Sequence, residues 1–542
     1  MPILEEMKNI IVLFAPSQSV YLFNEFDDGL CAYQKSLLWA KSLQSCGECE
    51  KIFVFTSGQN QKKCEQLNSK AEISGIELVS KEDWTVYKLL TSMYEVCKKV
   101  NSENIIFAWA DCPFLNKKVT DEIIQTHNKY LAEYTFADGY PYGFAPEMLA
   151  CGTAGIVAEL SVKEGLPNLT GNNPVNRTCI FDAMKGDVNA FEIETVIAPT
   201  DWRMYRFSFD CGKKENFIAC KKLAELALPE DSAENLSEKA SKCVQVVRTV
   251  PGFYNIQIEG KERSSSIYSP YQKALESAPE FKERLTFMPL EKFKTLVKQI
   301  AEFSENAVIS LSLFGEALYH ENLQEFIAEI LKYPGLSAFI ETTGDGLTEE
   351  LAKETAAIVE KSEKRINGYS PVMWVVSIDS VSKEKYKEIH FTDGFENAVN
   401  AVSVLEKYFP SDVYPQFVRM NENEDELESF YRFWSRKESP SAGKLIIQKY
   451  NSYAGFLPER SPCDLSPVER CLDWHLRRDM VILCDGSVIQ YKESLFKDII
   501  GNVFTENIEE IWHKGDNLML DQINGKYDEI SGNYDEYYTF NF

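Results

Sequence analysis

The first 220 residues alternate short apolar runs with longer segments whose apolar positions recur every three or four residues. Asn9 to Ala15, Lys51 to Thr56, Ile76 to Val79 and Asn104 to Ala110 are rich in β-branched and aromatic residues and read as buried strands. Between the third and fourth runs, Trp84 to Val100 places Leu89, Leu90, Met93 and Val96 on one stripe and reads as an amphipathic helix. Such alternation predicts a mainly parallel, doubly wound α/β sheet. A polar, helix-compatible stretch from Leu228 to Lys242 then reads as a linker.

After it the rhythm resumes, with expected strands at Phe253 to Ile258, Ala307 to Leu313, Ser337 to Glu341, Met373 to Ile378, Val413 to Met420 and Lys444 to Lys449. Helical patterns such as Leu290 to Phe303 and Leu323 to Leu331 separate them. Six strand-helix units predict a partial or complete parallel barrel, whose functional residues belong at the C-terminal ends of its strands. From Ser461 onward the periodicity weakens into a tail containing Cys, Trp, His and Gly. The expected divisions are a first domain over 1–228, a linker over 229–243, a barrel-like domain over 244–460 and a small C-terminal domain over 461–542.

Composition adds limits to this picture. A chain of 542 residues, 44% of them hydrophobic, can bury more than one core. Its formal charge of -26 is spread along the chain and repels phosphate backbones and anionic lipid, so the expected partners are a nucleotide or other small molecule, or a protein, rather than nucleic acid or membrane. The N-terminus is acidic where a secretory signal is basic, and Ile10 to Ala15 is only strand length, so a cytoplasmic location is expected. In that setting the 14 cysteines read as thiols rather than disulfides.

Candidate chemistry lies at strand ends. The run Phe107 to Ala110 delivers Asp111 to its C-terminal end, followed by Cys112-Pro113, and Asp210 ends a second strand-like run, Phe207-Ser208-Phe209. Two such carboxylates can share a magnesium ion that neutralises the phosphates of a nucleotide. The other reading of Asp111 is a strand-end turn that caps the helix near Lys117. The loop after the first strand, Ala15 to Val20, lacks the glycine-rich phosphate cradle, with no glycine before Gly29. Cys46-Gly47-Glu48-Cys49 stands without a second pair and reads as a structural turn.

Asp111 in its Phe-Ala-Trp-Ala-Asp-Cys-Pro setting resembles the metal-bearing aspartate of sugar-nucleotide cytidylyltransferases and related GT-A folds. Three stretches of the second half resemble the radical SAM superfamily: the strand from Phe253 with its loop to Ser269-Pro270, then Leu311 to Ala317, then Glu341-Thr342-Thr343-Gly344 followed by Val376-Ser377-Ile378-Asp379. The resemblance places Glu316 against the amino group of SAM, Ser377 and Asp379 as further remnants of a SAM pocket, and Glu262, Ser266 and Ser269 where that superfamily has its three cluster-binding cysteines. Harder oxygen donors there remove the ligands of an iron-sulfur cluster, which makes the cluster unexpected and leaves SAM binding open.

The tail is similar to a SPASM domain at Trp474-His475-Leu476, Asp485 to Val488, Gly501-Asn502 and Ile511-Trp512, with Tyr491, Ser531 and Tyr534 in regions where that domain carries cysteines. Cys463, Cys471, Cys484 and His475 offer the donors of a zinc site, although free cysteine is also an ordinary small buried residue. Together with Val418-Arg419-Met420, Gln448-Lys449-Tyr450 and Arg478-Asp479-Met480, these features resemble the spiro-SPASM family over essentially the full chain. That resemblance implies a nucleotidyltransferase-like (GT-A) domain followed by a radical SAM-like (β/α)6 partial barrel and a SPASM-like tail. The expected function is a binding or regulatory pseudoenzyme without radical chemistry. The alternative is a metal-dependent nucleotidyltransferase using Asp111 and Asp210 with magnesium, and a third reading is a radical SAM enzyme supplied with soft ligands from elsewhere.

Overall fold

The computed structural model describes residues 8–70, 75–163, 170–261, 266–463, 472–527 and 538–541. It divides into two compact units, Met1–Thr249 and Val250–Phe542.

The first unit holds strands β1 (Asn9–Ala15), β2 (Lys51–Ser57), β3 (Ile76–Lys81), β4 (Asn104–Trp109), β5 (Tyr134–Asp138), β6 (Glu147–Ala150) and β7 (Ile193–Ile197). Its helices are α1 (Ala32–Ser45), α2 (Gly58–Lys70), α3 (Val86–Lys99), α4 (Lys117–Tyr130), α5 (Cys151–Val162), α6 (Cys179–Met184), α7 (Lys214–Leu226), α8 (Ala233–Ser241) and α9 (Val244–Val247). The strands form one sheet in the order β3-β2-β1-β4-β6-β5-β7. β1 pairs in parallel with β2 on one side and β4 on the other. β6, which the sequence pattern does not reveal, runs antiparallel between β4 and β5.

Every residue of β1 and β4 is buried, which is why both read as continuous apolar runs. Phe14 of β1 packs edge-on against Trp109 of β4 at 5.0 Å, and Trp84 stacks on Phe55 of β2 at 5.2 Å. Residues 229–243 carry α8, which Ser232 caps by accepting from the Asn235 N–H at 3.1 Å. That helix buries Ala233, Leu236 and Ala240 within the first unit, so the polar stretch is a packed helix.

The second unit is built on six parallel strands in chain order: β8 (Phe253–Ile256), β9 (Ala307–Ser310), β10 (Leu336–Thr342), β11 (Val372–Ser377), β12 (Val413–Arg419) and β13 (Leu445–Lys449). Between them lie α10 (Tyr271–Ser277), α11 (Glu280–Arg284), α12 (Leu290–Phe303), α13 (Leu323–Leu331), α14 (Glu349–Lys361), α15 (Lys383–His390), α16 (Phe395–Tyr408) and α17 (Leu427–Trp434). The tail adds α18 (Trp474–Arg478), β14 (Asp479–Ile482), β15 (Ser487–Ile489), β16 (Ile499–Asn502), α19 (Ile508–His513), α20 (Asp516–Ile523) and β17 (Tyr538–Asn541).

β14 pairs in parallel with the outer edge of β8, and β15 and β16 continue the sheet antiparallel, so the tail is continuous with the strands before it. Trp374, Tyr254 and Phe293 sit fully buried in a core to which the tail contributes Ile482, Cys484 and Trp512. A separate, smaller apolar cluster, Ile389, Val418, Met420, Tyr450 and Leu457, gathers just past the C-terminal ends of β12 and β13 and at the end of α15. Both units are therefore mixed α/β with parallel-rich sheets. Among the described residues no helix is long and apolar enough to cross a membrane.

Candidate functional site

In the first unit the sheet grows outward from β1 in both directions, so the loops after β1 and β4 part from each other and leave a crevice at the strand ends. Asp111 lies two residues past β4 and Ser19 four past β1; the Ser19 hydroxyl donates to Asp111 Oδ2 at 2.6 Å across that crevice. Backbone pairing brings in a third segment. The Cys211 N–H donates to the Asp111 carbonyl at 2.9 Å and the Tyr21 N–H to the Cys211 carbonyl at 3.0 Å, which sets Asp210 beside Asp111.

The two carboxylates meet through an arginine that the sequence reading did not find. Arg177 clamps Asp111 with Nη1 to Oδ1 at 2.8 Å and Nη2 to Oδ2 at 2.6 Å, and its Nη2 also reaches Asp210 Oδ1 at 3.1 Å. Such forked contacts are the strong form of a charge-assisted hydrogen bond. Asp210 also accepts from the Gly212 N–H at 2.8 Å, the Ser208 hydroxyl at 2.6 Å and the Asn216 amide at 2.8 Å. The guanidinium lies 3.9 Å over the face of Trp109 and 5.4 Å from the Tyr142 ring. Burial works against its charge, but Asp111, Tyr142 and Asp210 hold Arg177 well above its ordinary pKa.

The Asp111 and Asp210 side chains are 1% and 7% exposed, against 28% for Arg177, so the carboxylates form the floor of the crevice and the arginine its wall. Gly212 packs closely on the group: a Cβ there would come within 2.8 Å of Asp210 Oδ1 and 2.9 Å of Arg177 Nη2 and would displace one of them. Asp111 does not cap α4; Asn116 does, accepting from the N–H groups of Lys118 and Val119. Cys46 ends α1 and Cys49 is buried, which places their segment in the turn before β2.

In the second unit the loops after β8, β9, β10 and β11 are tied to one another. Gly315 has φ +75° and packs on the loop after β8, where a Cβ would meet the Glu259 carbonyl at 2.1 Å. That turn presents Glu316, whose carboxylate accepts from the Thr343 N–H and hydroxyl, each at 3.0 Å, and from the Leu318 N–H at 3.3 Å. Burial pushes Glu316 up from 4.5 to about 7. A carboxyl raised in the folded state contributes stability that is full below about pH 4.5 and lost as pH rises through about 7. Urea titrations between those limits should show wild type losing on the order of 3 kcal/mol relative to Glu316→Gln; a difference that stays flat would show that Glu316 is not held protonated.

Asp379, at φ +60°, is fully buried past β11. It accepts from the Val418 N–H at 2.5 Å and the Tyr268 hydroxyl at 2.8 Å, and His390 Nε2 lies 2.9 Å away. Ser377, the last residue of β11, is also buried. The Ile267 N–H donates to the Ile389 carbonyl at 2.9 Å, and the Ser269 N–H to the Ser266 carbonyl at 3.1 Å, so this loop is a turn fastened to α15. Ile267 and Tyr268 pack on the small apolar cluster past β12 and β13.

In the tail, Tyr491 is buried and its hydroxyl accepts from Gln522 at 3.3 Å. His475 Nδ1 lies 2.7 Å from Asp479 Oδ2, Cys484 is buried in the main core with its thiol raised to about 12 by burial, and Cys463 is exposed. Glu262, Cys471, Ser531 and Tyr534 lie outside the described residues. Among the described residues no three His, Cys, Asp or Glu side chains gather as a metal site, so Cys463, His475 and Cys484 do not assemble one by themselves.

No protein-family model matches this sequence. An uncharacterized protein of Treponema pallidum (strain Nichols) is 36% identical to it over 370 residues, which cover 67% of this chain and 98% of that protein. The chain belongs to the family of that protein. A second uncharacterized protein of the same organism is 25% identical over 138 residues, 24% of this chain and 62% of its own length. Among solved structures, a cytidylyltransferase from Leptospira borgpetersenii serovar Hardjo-bovis is similar with 18% identity and a TM-score of 0.36, over 44% of this chain and 97% of that one. BtrN in complex with AdoMet and 2-DOIA is similar with 16% identity and a TM-score of 0.34, over 53% of this chain and 93% of that one.

Neither inorganic group suggested by the sequence fits the residues as this family member arranges them. All four oxygens of Asp111 and Asp210 already accept hydrogen bonds, and a guanidinium stands between them where a magnesium ion would sit. In the loop after β8, Ser266 and Ser269 present hydroxyls, which are poor ligands for iron in a cluster built on thiolates. Arg177 gave no signal in the sequence because it stands in a non-periodic stretch between α5 and α6, far along the chain from either aspartate. His390 escaped notice for a related reason: it ends a helix and reads as surface until the fold buries it.

Proposed function

We propose that this chain is a binding or regulatory protein without radical chemistry, whose first unit takes a nucleotide in the crevice between the loops after β1 and β4. The observation that carries this reading is the convergence of Ser19, Asp111, Arg177 and Asp210, from four separate chain segments, at the point where the sheet changes direction. Open α/β sheets bind their ligands there because the diverging loops leave room and the strand ends supply polar groups. The likeness of the Asp111 segment to cytidylyltransferases supports CTP as the first ligand to try. For the second unit, the spiro-SPASM resemblance and the oxygen donors at the cluster positions support a radical SAM-like scaffold. There Glu316 and Asp379 bond protein groups rather than facing open space.

A second reading, a metal-dependent nucleotidyltransferase, draws on the same pair of carboxylates and requires Arg177 to leave them. Calorimetric titration of the full chain separates the two. Binding of CTP that is lost in Asp111→Asn, with no pyrophosphate released on adding magnesium, is the expected result. Pyrophosphate release would move the chain to the enzymes, and failure of CTP, ATP, GTP and UTP to bind would sink the nucleotide reading. Iron and sulfide taken up stoichiometrically on anaerobic reconstitution, with visible-range absorbance, would overturn the absence of radical chemistry.

A further inference from the structure

Two buried carboxylates that face one another repel unless a cation lies between them, and a divalent ion is the usual solution. Asp111 follows β4, whereas the run before Asp210 forms no strand, only an isolated bridge from Ser208 to Tyr142. Here the cation belongs to the chain. We infer that Arg177 is a tethered substitute for a divalent ion at Asp111 and Asp210, so that the native pair of carboxylates holds no metal.

The geometry leaves little for an ion to use. Arg177 makes three contacts to the two carboxylates, and the hydroxyls of Ser19 and Ser208, the Asn216 amide, the Gly212 N–H and, at 3.7 Å, the Cys112 thiol donate to them as well. Magnesium demands near-octahedral geometry and keeps several waters. Gly212 is pressed so closely on the group that even a methyl would have to displace Asp210 Oδ1 or Arg177 Nη2, so those waters could enter only by moving the guanidinium. The arginine is also held from behind. Trp109 underlies its plane, the Tyr142 hydroxyl lies 3.4 Å from Nη1, and Gln18 donates to the carbonyl of buried Val175, two residues before Arg177, at 2.9 Å. An entering ion would have to break the forked contact and leave the guanidinium against Trp109 without its counterions.

The charge count gives the inference its sharpest consequence. Two carboxylates and one guanidinium leave a formal charge of -1; an apolar residue at position 177 leaves -2 in the same place, which is a divalent-ion site in all but occupancy. Removing a like charge at contact distance should tighten Mn2+ binding by at least about 100-fold.

The test is Mn2+ titration of the full chain, followed by electron paramagnetic resonance and by calorimetry, in wild type, Arg177→Met and Arg177→Met/Asp210→Asn. The inference predicts no Mn2+ held by the wild-type pair, one ion per chain in Arg177→Met, and loss of that ion in the double variant. Wild-type binding that disappears in Asp111→Asn would overturn it, and so would a folded Arg177→Met that binds no Mn2+. If Arg177→Met does not fold, Arg177→Gln, which keeps a neutral donor between the carboxylates, takes its place.

The role of Arg177 at the two carboxylates is independent of the nucleotide reading. If no nucleotide binds, that reading fails while the manganese titration still decides the role of Arg177.

Discussion

Arg177→Met should lower the stability of the first unit by about 3 to 5 kcal/mol, the cost of leaving buried charge without its partner. Two carboxylates, 1% and 7% exposed, would then face each other across the space the guanidinium filled. The loss has a pH signature that simple loss of packing would lack. With the cation gone, like-charge repulsion raises the pKa of one carboxyl above its unfolded value, so the variant binds an extra proton when folded. Its deficit relative to wild type should therefore shrink as the pH falls toward about 4. Adding Asp111→Asn should recover part of the stability at neutral pH, since it removes one of the repelling charges, and a double-mutant cycle would show that as coupling beyond additivity. Urea unfolding of the four proteins at pH 5 and 8 checks this. Strict additivity, or a pH-independent deficit, would mean that the arginine contributes only packing against Trp109.

The second large effect is expected at Asp379. Asp379→Ala removes the acceptor for the Val418 N–H, the Tyr268 hydroxyl and His390 Nε2 together; Asp379, Val418 and His390 are buried and Tyr268 is half-buried. A buried donor left unsatisfied costs about 1 to 3 kcal/mol, so the buried Val418 N–H and His390 ring together should cost about 2 to 6 kcal/mol. The backbone adds to this. At φ +60° alanine is strained, whereas asparagine tolerates the left-handed region and still offers one carbonyl oxygen. Asp379→Asn should thus recover roughly half of the loss, and Asp379→Gly, which relieves the backbone but supplies no acceptor, should recover less. Because Tyr268 belongs to the loop after β8, proteolysis in that loop should rise in Asp379→Ala and not in Asp379→Asn. Equal stability in all three variants would show that the network is incidental.

Much of the scaffold was legible in the chain. The apolar runs at Asn9, Lys51, Ile76 and Asn104 are β1 to β4, and all six runs expected after the linker are the parallel strands β8 to β13 in order. Strands buried on both faces leave continuous apolar runs, and the helices between them leave a clear stripe, as in α12 and α13, whose ends match their patterns. The short strands β5, β6 and β14 to β16 were not legible, because segments of three to five residues carry too few alternations to stand out. The stretch over 229–243 misled for the opposite reason: α8 buries only small side chains and Leu236, so its sequence looks polar although it is packed.

The same division holds at the site. That Asp111 and Asp210 were residues to watch follows from the sequence, because a carboxylate placed directly after an apolar run has to find partners where the run stops, whereas Glu316 and Asp379 were marked by the resemblance to radical SAM proteins. Which partners they find is a matter of tertiary structure. Arg177 reaches Asp111 across 66 positions of chain, and Tyr268 reaches Asp379 across 111. Hydrogen bonding acts over about 3 Å and leaves no period in the sequence. Among 57 lysines and arginines only the folded chain singles out the one that stands between the two aspartates.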